Sequence, residues 1–228
     1  MTVAAALAAV RARIDRACAA CGRDPAGVKL IAVSKTKPGS AIRDAYAAGQ
    51  RAFGENYAQE LAAKAAELAD LRDIEWHFVG HLQTNKVKLV ARSAHVIHTV
   101  DSPVLAREIA RRAAGAERAT LPVLIEVNVG AEPQKHGAAP TELAEVISAV
   151  RAEPQLALRG LMTMPPLADL PAAGRVFETL STLRGLHGGV ALLPELSMGM
   201  SQDLEVAIAC GATLVRVGTA IFGARAPT

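Results

Sequence analysis

The chain has 228 residues, of which 51% are hydrophobic and 21% are charged, and its formal net charge is +3. This balance is typical of a globular protein with enough apolar material for one large core. Basic residues are spread along the chain and aromatic residues make up only 3%, so we expect no nucleic-acid interface, which needs clustered basic residues and stacking aromatics.

The N-terminal stretch MTVAAALAAVRARI predicts an amphipathic helix, because arginines follow its apolar residues at helical spacing. It has no positive region before the apolar residues and no clear cleavage site, so it does not resemble a signal peptide. No apolar run approaches the length of a membrane span. We therefore expect residues 1–24 to form a helix packed on a soluble, cytoplasmic domain with no membrane partner.

Three cysteines are present, Cys18, Cys21 and Cys210. Their odd number argues against a disulfide framework and favours a reducing compartment. Cys18 and Cys21 form a C-x-x-C motif, but a zinc site needs two further ligands, and the sequence has no second pair. We expect no metal site.

Short apolar runs alternate with helical stretches along the rest of the chain. One helix start is well marked, because Ser102 has the character of an N-cap and Pro103 that of a first helical residue. The predicted strands cover residues 28–34, 51–54, 74–80, 95–100, 121–129, 156–164, 194–199 and 213–219.

Eight strand–helix units without an antiparallel interruption predict parallel pairing through right-handed crossovers. They fit an α/β fold, a single closed (β/α)₈ barrel of the TIM type with an extra N-terminal helix, and we assign residues 1–228 to one domain. A doubly wound open sheet is the alternative. It would normally carry a Gly-rich dinucleotide turn after the first strand, and SKTKPGS is not such a turn.

The first strand ends on a lysine, in VKLIAVSKTKP. Alternate side chains share one face of a strand, so Ile31, Val33 and Lys35 point the same way. If that face fills the barrel, Lys35 lies just above the core, where apolar surroundings would lower the pKa of its amine and favour a nucleophile. Lys37 lies further out in the loop. A solvated surface lysine is the alternative interpretation of Lys35.

The loops after the seventh and eighth strands predict an anion site. Ser201 and the pair Gly218 and Thr219 stand where helices are expected to begin, and free N–H groups at helix starts favour an anion. Barrels of this kind often bind phosphate at these two loops. Ser201 and Thr219 could equally be helix caps. We expect this cradle and Lys35 to lie on opposite sides of the barrel mouth.

A lysine amine near a phosphate cradle indicates a phosphorylated carbonyl compound. The ligand would be the substrate of a sugar-phosphate aldolase, or pyridoxal 5′-phosphate held as a Schiff base. Arg216 favours the second ligand, because its parity with Leu214 and Gly218 directs it into the cavity, where an arginine can face the pyridine nitrogen. A salt bridge at the barrel rim is the alternative role for Arg216.

Five stretches of the sequence resemble the pyridoxal phosphate homeostasis proteins, which are single-domain relatives of the N-terminal barrel of alanine racemase. The resemblance extends from the first strand to about residue 225. The five stretches are LIAVSKTKP, FGENYAQE, WHFVGHLQTNK, LRGLMTMPP and LSMGMSQDLEVAIACGATLVRVGTAIFGAR.

The resemblance implies a (β/α)₈ barrel that binds pyridoxal 5′-phosphate through Lys35. It implies phosphate contacts at Ser201, Gly218 and Thr219, and a ring-nitrogen contact at Arg216. Asn56 and Met162 match positions beside the cofactor. It names no catalytic residue, and it leaves the role of the WHFVGHLQTNK stretch open.

The implied function is cofactor homeostasis, by buffering pyridoxal phosphate and related B6 vitamers or by delivering them to apo enzymes, with indirect effects on amino-acid and keto-acid metabolism. On this interpretation the protein is a monomeric carrier and not an enzyme. The alternative is an amino-acid racemase, which needs a second acid–base group opposite the lysine. Alanine racemases take that tyrosine from another domain and subunit, whereas this sequence has only Tyr46 and Tyr57.

Lys135, in EPQKHG after the fifth strand, is a further candidate. Lys135 is either a solvated lysine of the kind that surface loops usually carry, or a second amine that captures the aldehyde of pyridoxal phosphate as the cofactor leaves.

Overall fold

The computed structural model describes residues 1–114, 120–130, 132, 135–166 and 169–224. The eight strands are β1 Lys29–Val33, β2 Ala52–Glu55, β3 Glu75–Phe78, β4 Val96–Val100, β5 Leu121–Glu126, β6 Leu156–Met162, β7 Glu195–Ser197 and β8 Leu214–Val217. The helices are α1 Val3–Ala20, α2 Gly39–Ala47, α3 Ala58–Glu67, α4 Val87–Ser93, α5 Pro103–Ala113, α6 Leu143–Arg151, α7 Leu170–Leu186, α8 Gly189–Leu192, α9 Leu204–Ala209 and α10 Thr219–Phe222.

The strands form a closed parallel barrel in chain order, from β1 to β8. The barrel closes where β8 pairs with β1, with Ile31 opposite Arg216. The predicted (β/α)₈ architecture is confirmed and the open sheet was wrong. Most strands are shorter than predicted, because the apolar runs extend into the loops that follow them.

Ser102 caps α5 as predicted, since its hydroxyl accepts a hydrogen bond from the Leu105 N–H at 3.3 Å. The start of α9 was predicted wrongly. That helix begins at Leu204, after the N-cap Asp203, and Ser201 lies in the preceding turn. Helix α8 was not predicted from the sequence.

Two apolar layers surround the strands. Side chains inside the barrel form a small cluster that includes Ile31, Leu124 and Leu214. The larger cluster lies between the barrel wall and the helices, where Phe53 and Trp76 pack with their ring centroids 6.0 Å apart. Burial of each aliphatic or aromatic side chain of this kind stabilises the fold by about 1.5–3 kcal/mol.

The predicted N-terminal helix is present as α1, and it packs against α2, α9 and α10. Its buried residues Leu7, Val10, Ile14 and Cys18 recur at three- and four-residue spacing, which places them on one face. Cys18, Cys21 and Cys210 are all free thiols. In the described part of the chain, no helix has the length and apolar character needed to cross a bilayer.

Candidate functional site

The site residues expected from the sequence lie at the carboxyl ends of five strands. In this fold that end of the barrel carries the chemistry. Lys35 follows β1, Asn56 follows β2, Met162 ends β6, Ser201 follows β7, and Arg216, Gly218 and Thr219 lie at the end of β8.

Lys35 is half-buried two residues after the end of β1. Ile31 lies in the interior cluster, which agrees with the predicted parity of this strand. Lys37 is engaged elsewhere, because its amine donates to the Ala224 carbonyl at 2.8 Å. Of these two lysines, Lys35 therefore remains the candidate nucleophile.

The turn that carries Lys35 is held from both sides by α3. Thr36 has a φ of 63°, an uncommon conformation for a residue with a β-branched side chain. Its N–H donates to the Glu60 carboxylate at 2.6 Å. On the other side, the Lys64 ammonium donates to the Ser34 carbonyl at 2.7 Å. The backbone on each side of Lys35 therefore has a fixed partner.

Beneath this turn lies a buried ionic cluster that the sequence analysis missed. Lys64 donates to Glu55 and to Glu60, both at 2.7 Å. The Ser34 hydroxyl donates to the same Glu55 oxygen at 2.7 Å. Burial raises the pKa of Glu55, and the hydrogen bond from Lys64 opposes that effect. The only signal in the sequence was the i,i+4 spacing of Glu60 and Lys64.

Arg216 is buried inside the barrel, as its parity predicted. One terminal nitrogen donates to the Ser197 hydroxyl at 2.6 Å and the other to the Thr163 carbonyl at 3.0 Å. Burial lowers the pKa of Arg216 to about 10, and the nearby carboxyl of Glu126 opposes that effect. The guanidinium is therefore still protonated at neutral pH, in a fixed orientation inside the barrel and not in a salt bridge at the rim.

Gly218 brings the end of β8 against β1. A Cβ atom at Gly218 would lie 3.0 Å from the Val33 carbonyl oxygen, so this close approach favours glycine. Because β8 is the neighbour of β1, the expected phosphate cradle lies beside Lys35. The expectation that the two lie on opposite sides of the mouth was wrong.

The two loops of the expected cradle touch each other. The Ser201 hydroxyl accepts a hydrogen bond from the Ala220 N–H at 3.5 Å. Thr219 is exposed and begins α10, which has only four residues. Since α9 begins three residues after Ser201 and α10 is so short, the helix dipole contributes less to anion binding here than the sequence suggested.

Asn56 and Met162 differ in their surroundings. Met162 is fully buried in the interior cluster. Asn56 is half-buried, and its Oδ1 atom is buried without a hydrogen-bond partner among the described residues. Its backbone lies so close to Gly80 that a Cβ there would be 2.1 Å from the Asn56 carbonyl oxygen. The partnerless amide oxygen fits a site that gains a polar ligand.

Glu126 is a buried carboxyl that sequence reasoning did not single out. It ends β5, pairs with Met162 across the sheet, and is only 3% exposed. Burial raises its pKa to about 7, Arg216 opposes the shift, and Asp101 adds to it. Glu126 therefore brings a carboxyl that titrates near neutrality close to the buried Arg216.

Two loops meet at the mouth beyond β3 and β5. The rings of His81 and His136 stack with centroids 3.5 Å apart and an interplanar angle of 9°. The neighbouring Lys135 forms an ion pair with Glu132 at 2.5 Å and lies 3.4 Å from the Met164 carbonyl. The role of Lys135 as a second amine stays a hypothesis.

Comparison with known proteins identifies relatives of the whole chain. The family described as "Alanine racemase, N-terminal domain" matches residues 6–226. The "Pyridoxal phosphate homeostasis protein" of Pseudomonas aeruginosa is 49% identical over 98% of this chain and 96% of its own length. The protein of the same name from Escherichia coli is 45% identical over 96% of this chain and 95% of its own length.

Solved structures agree with this relationship. PipY of Synechococcus elongatus, in a structure described as having PLP bound, is 39% identical, has a TM-score of 0.85, and is matched over 97% of this chain and 100% of that chain. Alanine racemase of Corynebacterium glutamicum, at 20% identity and a TM-score of 0.69, shares the fold over 97% of this chain and 62% of its own. The chain therefore belongs to the alanine racemase N-terminal domain family and, within it, to the pyridoxal phosphate homeostasis proteins.

Proposed function

We propose that this protein binds pyridoxal 5′-phosphate as a Schiff base on Lys35 and acts in homeostasis of that cofactor. The supporting observation is the meeting of three features at one edge of the barrel. Lys35 follows β1, and the neighbouring strand β8 supplies the buried Arg216 and then the close turn at Gly218. The 39% identical PipY, whose structure is described with PLP bound, supports the same ligand.

The cofactor supplies an aldehyde when bound. The Lys35 amine would hold that aldehyde carbon through a C=N bond, with the carbonyl oxygen leaving as water. No oxidant or reductant is required, and water or a competing amine reverses the step. A lysine held in this way binds the reactive aldehyde without consuming it, which suits buffering or delivery.

Arg216 orients the other end of the ligand. Its guanidinium keeps its proton, because its pKa of about 10 lies well above neutral pH. It therefore donates a hydrogen bond to the pyridine nitrogen and does not protonate it. An unprotonated ring is a weaker electron sink, which disfavours chemistry on a bound amino acid.

The phosphate is proposed to lie where the loops after β7 and β8 meet. The hydroxyls of Ser201 and Thr219 and the backbone at Gly218 would donate to it. Asn56 and Met162 would border the ring, with the unpartnered Asn56 amide oxygen accepting a hydrogen bond. The donor set is neutral apart from Arg216, so retention would depend on hydrogen bonds and on the bond to Lys35.

The protein is proposed to be a carrier and not an enzyme. The tyrosines do not offer an acid–base group opposite Lys35. Tyr46 donates its hydroxyl to Asp73 at an exposed position, and Tyr57 is 52% exposed at the start of α3. The rival activity, amino-acid racemisation, would need such a group.

We further propose that the carrier is a cytoplasmic monomer of one domain, and that its partners are B6 vitamers and apo enzymes that use pyridoxal phosphate. Three free thiols are consistent with a reducing compartment. Among the described residues, β1 and β8 pair and close the barrel, so its eight strands leave no open sheet edge that another chain could extend.

The test is the covalent label. The purified protein is incubated with pyridoxal phosphate, reduced with borohydride, digested, and mapped by mass spectrometry. We expect yellow protein and a reduced adduct on the Lys35 peptide, both lost in Lys35→Ala. Lys37→Ala is the matched control, because it removes a neighbouring amine that bonds to Ala224. A label that persists in Lys35→Ala at the wild-type level would overturn the proposal.

A further inference from the structure

A continuous row of polar side chains runs through the inside of the barrel, below Arg216. Arg216 lies 2.6 Å from the Ser197 hydroxyl, and that hydroxyl lies 2.8 Å from Nδ1 of His98. Nε2 of His98 lies 2.8 Å from Nδ1 of His77. Nε2 of His77 lies 3.5 Å from the carboxylate of Glu75, at the opposite end of the barrel.

The polar side chains of this row are buried in the barrel interior, where apolar side chains could pack at a lower cost in free energy. Ser197 and His98 are 0% exposed and His77 is 1% exposed. Their interior neighbours include Ile31 and Leu214. Burying a polar group costs free energy unless it is hydrogen-bonded, so a row of three in a barrel interior calls for a role beyond packing.

The Arg216 end sets the direction of the row. A guanidinium can only donate, so Ser197 accepts from Arg216. Within the described residues, the only other partner of the Ser197 hydroxyl is His98, so the hydroxyl proton finds an acceptor only if it is donated to Nδ1. His98 then carries its proton on Nε2 and donates it to His77, whose own proton lies on Nε2.

The far end agrees with this direction. Glu75 forms an ion pair with Lys29 at 2.8 Å, which keeps its carboxylate ionised. An ionised carboxylate only accepts. At 3.5 Å the contact with His77 is longer than the others and lacks hydrogen-bond geometry, so Glu75 acts on this N–H by charge. The reverse direction would set a bare nitrogen against the carboxylate, or place a second proton on His77.

A metal ion does not explain the two histidines. Their facing nitrogens are 2.8 Å apart, whereas a zinc ion would hold each nitrogen about 2.0–2.1 Å from itself, with ligands spread around it. Burial holds the pKa of His98 well below its usual range, and the nearby Arg216 acts in the same direction. His98 therefore carries one proton, as the row requires.

We propose that Ser197, His98 and His77 are positioning residues that form a one-way hydrogen-bond row from Arg216 to His77, whose Nε2 faces the charge of Glu75, and hold the guanidinium in place. The bearing of this row on the cofactor rests on the proposed function. With one nitrogen tied to Ser197 and the other to the Thr163 carbonyl, the guanidinium plane is fixed in the barrel. A ligand nitrogen then meets an arginine that is already oriented.

The first test uses protein free of cofactor, with its histidines labelled with ¹⁵N, at neutral pH. Nitrogen shifts distinguish the two tautomers and the doubly protonated ring. We expect both His77 and His98 as Nε2–H tautomers. A proton on Nδ1 of either ring would overturn the one-way row. This readout does not depend on whether the protein binds pyridoxal phosphate.

A change at the far end tests whether the row acts as a unit. Glu75→Ala removes the negative charge that faces Nε2 of His77, and we expect mixed tautomers at His77 and, through it, at His98. Lys29→Met is the matched control, since it removes the partner of Glu75 but keeps the carboxylate, and both tautomers should stay as in the wild type. Wild-type tautomers at both rings in Glu75→Ala would overturn the coupling.

The last test concerns Arg216 itself. Ser197→Ala removes the acceptor of Arg216, and we expect pyridoxal phosphate to be lost about tenfold faster on dilution, because a hydrogen bond to a charged group is removed. Ser197→Thr keeps the hydroxyl and should restore slow loss. Wild-type release from Ser197→Ala would overturn the positioning role and leave the proposed function standing. Absence of cofactor binding in the wild type would refute the proposed function and leave the tautomer result intact.

Discussion

The Lys64 ammonium lies 2.7 Å from the Glu55 carboxylate, in a position where Glu55 is fully buried. The same ammonium donates to the Ser34 carbonyl, one residue before Lys35. A helix residue therefore neutralises a strand carboxylate and, with the same three protons, fixes the backbone that presents the proposed nucleophile. The stability of the fold and the geometry of the site share one side chain.

Lys64→Met should be strongly destabilising, because it leaves Glu55 without its buried counter-charge. Removing one partner of a buried pair typically costs about 3–5 kcal/mol. The free energy of unfolding in urea measures this loss. Lys88→Met, which changes an exposed lysine on α4, is the control and should stay within about 0.5 kcal/mol of the wild type.

The double variant Glu55→Gln with Lys64→Met should recover much of the stability lost in Lys64→Met, because no buried charge is left unpaired. A double variant as unstable as the sum of the single variants would contradict this explanation.

The stability of the cofactor-free protein should depend on pH through Glu126. Its pKa is raised from 4.5 to about 7 on folding. The contribution of Glu126 to the free energy of unfolding is fully present below about pH 4.5, where the carboxyl is protonated in both the folded and the unfolded state. It is lost as the pH rises through 7. Above pH 7 the free energy of unfolding should therefore be lower than at acid pH by about 3 kcal/mol.

Glu126→Gln cannot ionise, so it should be close to the wild type in unfolding free energy near pH 4.5 and more stable than the wild type at pH 8. Urea unfolding at the two pH values measures the difference. Glu145→Gln, at an exposed position of α6, is the control for changes in net charge. An equal gap between Glu126→Gln and wild type at both pH values would show that Glu126 does not titrate as described.

Replacing Ser201 by Ala and Thr219 by Val should weaken cofactor retention and leave the fold intact. Each substitution removes a proposed donor to the phosphate, and a hydrogen bond to a charged group contributes about 1.5–3 kcal/mol. Retention after dialysis measures the effect, and circular dichroism checks the fold. Thr182→Val, which changes a hydroxyl bonded to the Glu178 carbonyl on α7, is the control. Wild-type retention in the double variant would leave these hydroxyls as local structural groups only.

The sequence predicted those features that depend on local periodicity. The two-residue alternation of a strand was enough to place Ile31 and Arg216 on the interior side, because parity survives small errors in strand ends. The same alternation favours Lys35, which lies beyond the end of β1, and its role stays a prediction. Helix starts were harder. Ser201 was taken for the first residue of α9, but the Asp203 carboxylate accepts from the Met200 N–H at 2.5 Å and forms a turn before the helix.

Contacts between distant strands were beyond sequence reasoning. His98 on β4 meets Ser197 on β7 because the barrel closes, and 99 positions separate them in the chain. Glu126 becomes a carboxyl with a raised pKa only when the interior surrounds it. Such features depend on register and closure, which a single sequence does not specify.

The last prediction separates carrier from enzyme. Racemisation requires the α-proton of a bound amino acid to be removed on one face and returned on the other, by two acid–base groups. Lys35 could serve one face. Tyr46 is tied to Asp73 and Tyr57 is exposed, so neither tyrosine offers a placed partner for the other face. Arg216 keeps its proton, so in the proposed complex it would not protonate the ring nitrogen, which would weaken the stabilisation that proton removal needs.

We therefore expect the loaded wild-type protein to show negligible interconversion of L- and D-alanine, while it releases pyridoxal phosphate to an apo enzyme that uses this cofactor. Chiral chromatography after long incubation measures the interconversion of alanine. Recovery of the apo enzyme's activity measures the release of pyridoxal phosphate. Arg216→Glu would provide a carboxylate that favours a protonated ring nitrogen, so any latent racemisation should rise in that variant if it still retains the cofactor. Turnover by the wild type on the order of 1–10³ s⁻¹, the usual range of enzymes, that disappeared in Lys35→Ala would make this protein a racemase and not a carrier.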